Sequence, residues 1–505
     1  MNRLLRNIYL NLSSFAISSL VGLSVIPLII RAYGIDGYGL IVLARQLLPV
    51  GVIGLFEGGL PEATSRYVAS AIAEGNHRLA GKYLAASTFV ATLIAIGLSI
   101  ALFASIELVI DILRIPPSHR EAFSMVVVIA AASLPMHFIG SVWRGALEGM
   151  DRFDWVRFIE VSGTILYALL VILLPMKGAS LEAIAIGYIL IGNARTIGYF
   201  FMLHQHRSVQ IDFCFELDMH SARPMLAHAA SFFSGKLYGA MFNHVPTVLV
   251  SLMSSVAMVG VYDAILRVPR LLKTVVGMFG NALLPHSARM ESLGGQKSVR
   301  EIIEVGTLLL AAFVFPVGMA MMIFSVEIVH ALLGQNQSNL SIWFALGLIW
   351  PLLLSIASVG NSMVVARHHA VKQMNQISLI NLIAYWSISA FLMQLLGWQA
   401  FLVALIVSSI ISTPLQLMLV QREYEINNGA LFVFLVRAIL IGLIAFAIKV
   451  MLEKEVLIDS YGIQLMAFLI TMIFIYLSIY QYALVARERS IIREKIASLI
   501  VAVRN

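Results

Sequence analysis

Between Val259 and Arg289 the chain is apolar enough to cross a bilayer, yet it carries Asp263, Arg267, Arg270 and Lys273. At about 100° per residue the first three fall within a helical wedge of roughly 60°, and Lys273 lies about another 60° round. Each ionisable group facing hydrocarbon near the bilayer centre would cost about 2.5–3.5 kcal/mol on insertion scales. The face must therefore meet water or counter-charge. Asp263 can offset Arg267 at i,i+4, which leaves Arg270 and Lys273 in excess. A cationic cavity suits an anionic guest.

Other polar residues sit at similar depth. Lys236 lies about ten residues into its own apolar run, near mid-membrane, with Asn243 on its face at i+7; a charge at that depth is functional by default. Arg45 and Gln46 precede Pro49, with Glu57 further along. Arg45 is expected to lie on the cavity wall about 10 Å from the outer end of its helix, although snorkelling outward accounts for it equally well. Glu57 and Asp263 are candidates for ion coupling. Arg195 and Arg437 fall within about two turns of the cytoplasmic ends of their helices, where snorkelling explains both and alanine substitutions should be nearly silent. His244 beside Pro246 reads as a packed or hydrogen-bonded histidine.

The elements that must hold these residues follow from composition. Hydrophobic residues make up 60% of the 505 positions and charged ones 12%, and mean hydropathy is +0.90, which excludes a soluble globular or disordered chain. Apolar windows give an all-α polytopic protein with about fourteen transmembrane helices, from 9–31 and 38–60 to 430–452 and 462–486, with the seventh and eighth at 226–250 and 258–283. The first run, Tyr9 to Ile30, is too long for a signal-peptide core and has no small-residue cleavage site behind it. With both termini in the cytoplasm, roughly 21 lysines and arginines fall inside and 6 outside. The net charge of +7 reports this bias, and nucleic acid is not implied. The single cysteine, Cys214, rules out an intrachain disulfide and argues against a zinc site.

An internal repeat orders the helices. Tyr38 precedes Leu60-Pro61 by the interval that separates Tyr262 from Leu284-Pro285, and Arg66 and Arg289 follow closely. Applying that interval, Gln46 takes the position of Arg270. Six helices per copy give both copies the same orientation, a parallel pseudo-two-fold repeat. The expected organisation is an N-terminal lobe at 1–210, a C-terminal lobe at 211–425, two extra helices at 426–486 and an amphipathic cytoplasmic tail at 487–505. In that tail Ile492, Ile496, Leu499, Ile500 and Val503 oppose Arg493, Glu494 and Lys495, as in an interfacial anchor. Two lobes with a wet cleft between them is a transporter's layout. No phosphate loop, HExxH, CxxC or GxSxG is present, so no enzyme activity, cofactor or metal is expected. A transporter with no ATPase domain runs down a gradient or couples to an ion.

The stretches NLSSFAISSLVGLSVIPLIIRAYGIDGYGLIVL and LFEGGLPEATSRYVA, the WRGALEGMDRFDWVRFIEV junction between spans 4 and 5, and VGVYDAILRV…ALLPHSARM in span 8 resemble Wzx-type polysaccharide and O-antigen flippases. These belong to the MATE-like multidrug/oligosaccharidyl-lipid/polysaccharide exporter superfamily. The resemblance implies a fourteen-helix inner-membrane protein that moves undecaprenyl-diphosphate-linked oligosaccharide outward by alternating access. Arg45, Lys236, Arg267, Arg270 and Lys273 would then meet the diphosphate or acidic sugars through charge-assisted hydrogen bonds. Asp263 and Glu57 would serve a coupling H+ or Na+. Membrane lipids and glycan polymerase or assembly proteins are the implied partners. On the same fold stand a drug or cation exporter, which prefers buried acids that spans 1, 3 and 5 almost lack, and the flippase for the peptidoglycan lipid precursor. A membrane glycan polymerase or ligase is disfavoured by the lack of a long external loop.

Overall fold

The computed structural model describes residues 3–205, 218–292, 296–365, 367–455, 461–484 and 489. Among these the structure is helical throughout, with no strand. It divides into two compact units, 1–263 and 264–505. The expected tail helix after Arg487 lies outside the described residues, apart from Arg489.

The first unit holds α1 (Arg3–Gln46), α2 (Leu60–Ala73), α3 (His77–Ala104), α4 (Ile106–Ile112), α5 (Arg120–Gly149), α6 (Phe153–Met176), α7 (Leu181–Gln205), α8 (Met219–Asn243) and α9 (Val245–Met253), and it takes in the first turns of α10 (Val256–Ser292). α8 packs on α2 and α3. The lobe limit expected at 210 comes from the sequence repeat, whereas packing divides the chain after 263.

α1 joins the first span to the start of the second through Gly34, at φ 74° and ψ 175°, a conformation open to glycine alone. After Gln46 the second span breaks. Pro49 removes a backbone donor, and a single 3-10 stretch, Val52–Glu57, carries the chain to Gly58 and Gly59, both at positive φ. Gly54 sits so tightly in this turn that a Cβ there would fall 2.0 Å from the Pro49 carbonyl oxygen. In the second copy the corresponding residues are Lys273, Val275, Met278, Ala282 and Leu283 in place of Pro49, Gly51, Gly54, Gly58 and Gly59. None of them breaks a helix, and α10 runs unbroken for 37 residues.

Close backbone approaches fix the first unit. A Cβ on Gly145 would lie 2.3 Å from the Pro61 carbonyl oxygen, and one on Gly149 2.4 Å from that of Ser65. The GALEG segment thus seats α5 against α2 as a small-xxx-small stripe. The start of α10 crosses α1 in the same manner: a Cβ on Gly39 would fall 2.0 Å from the Val256 oxygen, and one on Gly260 2.7 Å from that of Ile35.

The second unit continues α10 and adds α11 (Gln296–Ile323), α12 (Ser325–Leu333), α13 (Ser341–Val365), α14 (His368–Leu396), α15 (Gln399–Tyr424), α16 (Gly429–Glu455) and α17 (Tyr461–Ser478). α13 packs on α11 and α15, and α15 on α14. Lys449 ties α16 to the end of α11: its ammonium donates to the Ile323 carbonyl at 2.8 Å and meets Glu327 at 2.7 Å.

Among the described residues, eleven helices are long and apolar enough to cross a membrane. They account for expected spans 1, 3–6 and 9–14. The other three are the broken second span, α8 with Lys236, and α10 with four charges in eleven residues. The break and the charged residues lower the hydropathy of these three spans, which is why a hydropathy criterion passes over them. The chain is a multi-pass membrane protein.

Candidate functional site

The break in the second span opens onto a cavity of about 280 Å³ inside the first unit. Leu48, Pro49, Val50 and Glu57 come from the break, His137 and Arg144 from α5, Glu160 and Tyr167 from α6, and Tyr188, Arg195 and Tyr199 from α7. Two glycines make room for the polar side chains. A Cβ on Gly163 would lie 2.2 Å from Arg195 Nε, and one on Gly192 2.0 Å from His137 Cε1.

A charge network lines the cavity floor. The Arg144 guanidinium stands 3.5 Å from Glu160 and 4.0 Å from Glu148. Arg157 bridges Glu148 at 3.3 Å and Glu160 directly, and donates to Asn11 of α1 at 2.6 Å. Arg195 donates to the Glu160 carbonyl and to Thr164, both at 3.3 Å, while its buried Nε finds no acceptor. His137 donates to the Ile189 carbonyl at 3.3 Å. Arg45 lies with its guanidinium carbon 4.8 Å from the centre of the Tyr188 ring, a cation–π contact. Tyr188 meets Tyr167 edge-on at 5.0 Å.

Lys236 reaches the same segment from α8. Its ammonium pairs with Glu57 at 3.1 Å and Glu62 at 3.3 Å. Five basic groups, Arg45, Arg144, Arg157, Arg195 and Lys236, are thereby set among four carboxylates, Glu57, Glu62, Glu148 and Glu160. Such a network can persist at membrane depth because its charges nearly cancel. Asp263 is buried, 5% exposed, and accepts a bond from Tyr38 at 2.7 Å. His244 Nδ1 and Gln46 Oε1 lie 3.2 Å apart, in keeping with the hydrogen-bonded histidine expected there.

In the second unit, Arg267, Arg270 and Lys273 are all half-buried along α10. The Lys273 ammonium rests 4.5 Å from the centre of the buried Trp350 ring. Pro269 between them packs against α13, where a Cβ on Gly347 would meet its ring at 3.3 Å.

The structure thus joins Glu57 to Lys236 and sets Arg45 beside the tyrosines, inside the first unit. Lys236, expected as a cation awaiting a guest, already has two carboxylate partners. Arg195, expected to snorkel at a helix end, turns instead into the cavity, because Gly163 and Thr164 offer it space and an acceptor. Arg437 is exposed at its helix end, as expected. Sequence reasoning missed His137, Arg144, Glu160 and the three tyrosines. A signal existed: WRGALEGMDRFDWVRFIEV places Arg144, Glu148, Arg157 and Glu160 on two helices joined by one tight turn. Among the described residues no cluster of His, Cys, Asp and Glu could hold a metal ion.

A signature described as polysaccharide biosynthesis protein matches residues 71–342, more than half of the chain. A Shigella flexneri protein provisionally named an O-antigen transporter is 24% identical over 186 residues, which is 37% of this chain and only 44% of that protein's length. The solved structure of the lipid II flippase MurJ, in an inward closed conformation, superposes with a TM-score of 0.72 at 14% identity, covering 94% of this chain and 98% of that one. A multidrug resistance MATE family transporter of the MOP superfamily, inward-facing, gives 0.65 at 13% identity over 83% and 98%. Likeness at such identities is one of fold. With that signature matched over more than half of its length, the chain belongs to the polysaccharide biosynthesis protein family.

Proposed function

We propose that the chain is a flippase that carries an undecaprenyl-diphosphate-linked oligosaccharide across the inner membrane by alternating access. The cargo is an O-antigen, capsule or exopolysaccharide repeat unit, and both termini are cytoplasmic. The observation that carries this reading is the guanidinium-lined cavity beside a broken membrane span, in a chain of the polysaccharide biosynthesis family. Arg267, Arg270 and Lys273 bind the diphosphate, since guanidinium and ammonium donors bind phosphate oxygens strongly away from water. Arg45 and Lys236 are the first unit's own candidates for binding the cargo. Lys236 binds by exchanging its two carboxylate partners, Glu57 and Glu62, for the guest. Glu57 and Asp263 are the residues assigned to ion coupling, with H+ or Na+ as the coupling ion. Membrane lipids surround the protein, and the glycan polymerase and assembly proteins receive its product.

The test is complementation of a strain lacking the gene, with surface glycan as readout. Arg270→Ala and Lys273→Ala should each abolish surface glycan at unchanged protein level, and full export by the double variant would refute their role. Cell lysis on depletion would point to the peptidoglycan precursor as cargo, drug sensitivity to a drug exporter, and single repeat units on the surface to a polymerase.

A further inference from the structure

α16 and α17 leave between them a groove of about 1030 Å³. Its walls are hydrocarbon: Leu440, Ile444 and Phe474 are 53%, 54% and 40% exposed along it. One end is cationic. α17 closes in a π-helical turn, Ile479–Ala483, sealed by Leu484 N–H donating to the Ile479 carbonyl at 3.1 Å. Carbonyls at a helix end have no intrahelical donor, and two adjacent ones here are taken by arginines. Arg437 donates to the Tyr482 carbonyl at 3.0 Å and Arg489 to that of Gln481 at 3.3 Å.

These contacts gather two guanidinium groups at the mouth of an apolar groove. Each has five N–H donors, and one carbonyl bond leaves most of them unspent. Arg489 Nε is buried without an acceptor. Among the described residues no carboxylate lies within ion-pair distance of either arginine. Two like charges held together over a greasy trough call for an anion with a hydrocarbon tail.

We propose that the groove binds one anionic phospholipid, its phosphate on Arg437 and Arg489 and an acyl chain along Leu440, Ile444 and Phe474. Length favours this occupant over the long polyprenyl tail of the cargo. From Arg437 to Ile444 the apolar wall rises seven residues, about 10 Å of helix. That is less than half of a hydrocarbon core about 30 Å thick, the depth of an acyl chain within one leaflet. Only the naming of that leaflet as cytoplasmic rests on the orientation proposed above; the site itself is independent of the cargo.

The test uses the full chain purified with its native lipids, exchanged into neutral detergent with equal phosphatidylglycerol and phosphatidylcholine, and read by native mass spectrometry. The wild type should retain phosphatidylglycerol with about a thirtyfold preference, the effect of two basic residues at an anionic headgroup. Arg437→Gln with Arg489→Gln should abolish the preference. Ile444→Trp, which fills the groove and keeps both arginines, should reduce retention of both lipids. Undiminished preference in the double arginine variant overturns the proposal. So does displacement of phosphatidylglycerol by millimolar inorganic phosphate, which would mark a free-anion site, or by equimolar polyprenyl diphosphate, which would mark a cargo site. A benzophenone at Leu440 should cross-link to lipid; cross-linking to residues 490–505 of the same chain would equally overturn it.

Discussion

Lys236 should contribute more to stability than either of its acids. Its ammonium lies 3.1 Å from Glu57 and 3.3 Å from Glu62, with side-chain exposures of 23% for the lysine, 12% for Glu57 and 43% for Glu62. At the shorter distance and an effective dielectric near 20, the attraction is about 5 kcal/mol before desolvation is subtracted. Lys236→Met strands Glu57, the more deeply buried partner, so the expected loss is about 3–5 kcal/mol. Glu57→Gln leaves the lysine with Glu62 and should cost only about 1.5–3 kcal/mol, the range of a hydrogen bond to a charged group. The double variant Lys236→Met with Glu57→Gln removes the stranded carboxylate and should be more stable than Lys236→Met alone. Denaturant titration of the purified protein in micelles measures all three. Additivity of the two single changes within about 0.5 kcal/mol would refute a coupled pair. Export provides a second arm. The double variant, stable but without the ammonium, should still fail to display surface glycan, and wild-type display would remove Lys236 from substrate binding.

Arg195→Ala empties the space beside Gly163 and should destabilise the first unit by about 1–3 kcal/mol, with reduced surface glycan; an unchanged denaturation midpoint would restore the snorkelling interpretation. Gly145→Ala places a methyl 2.3 Å from the Pro61 carbonyl oxygen and should cost about 1–3 kcal/mol through overpacking. Gly97→Ala, with nothing within 4 Å of the added Cβ, should be tolerated, so equal membrane abundance of the two variants would count against the α2–α5 contact. Trp350→Leu removes the ring beneath Lys273 and should weaken glycan export where Trp350→Phe largely retains it, a cation–π contact contributing about 0.5–2 kcal/mol. Indistinguishable export by the two variants would dismiss the ring's role.

Much of this architecture was legible because membrane helices carry long, strong signals. α3, α5, α6, α7, α11 and α13 to α17 lie where runs of apolar residues place them. The break in the second span was harder to read. Pro49, Gly51, Gly54, Gly58 and Gly59 were all visible, but the apolar residues between them sustain a helix-length hydropathy window. The pairing of Lys236 with Glu57 joins residues 179 apart, beyond any i,i+4 rule. Arg195 shows a different limit. Distance from a helix end gives depth along the axis, and only the neighbours, here Gly163 and Thr164, decide whether a side chain turns outward or in.

The two copies of the repeat put polarity at membrane depth by opposite means. In the first, the backbone itself is opened, and each group freed from a helix would cost several kcal/mol in hydrocarbon unless satisfied. Turn bonds recover some of them: Gly51 donates to Leu48 at 2.8 Å, and Gly54 and Gly58 donate to Gly51 and Leu55, both at 3.2 Å. The remainder need water, and water needs a polar enclosure. The cavity with Glu57, Arg144 and Arg195 is thus the condition for the break as well as its consequence. In the second copy α10 keeps its backbone helical, even past Pro269, so Arg267, Arg270 and Lys273 stand on a main chain that is not opened around them. Paired carboxylates gather where the backbone is broken, while Arg267, Arg270 and Lys273 lie along an unbroken helix.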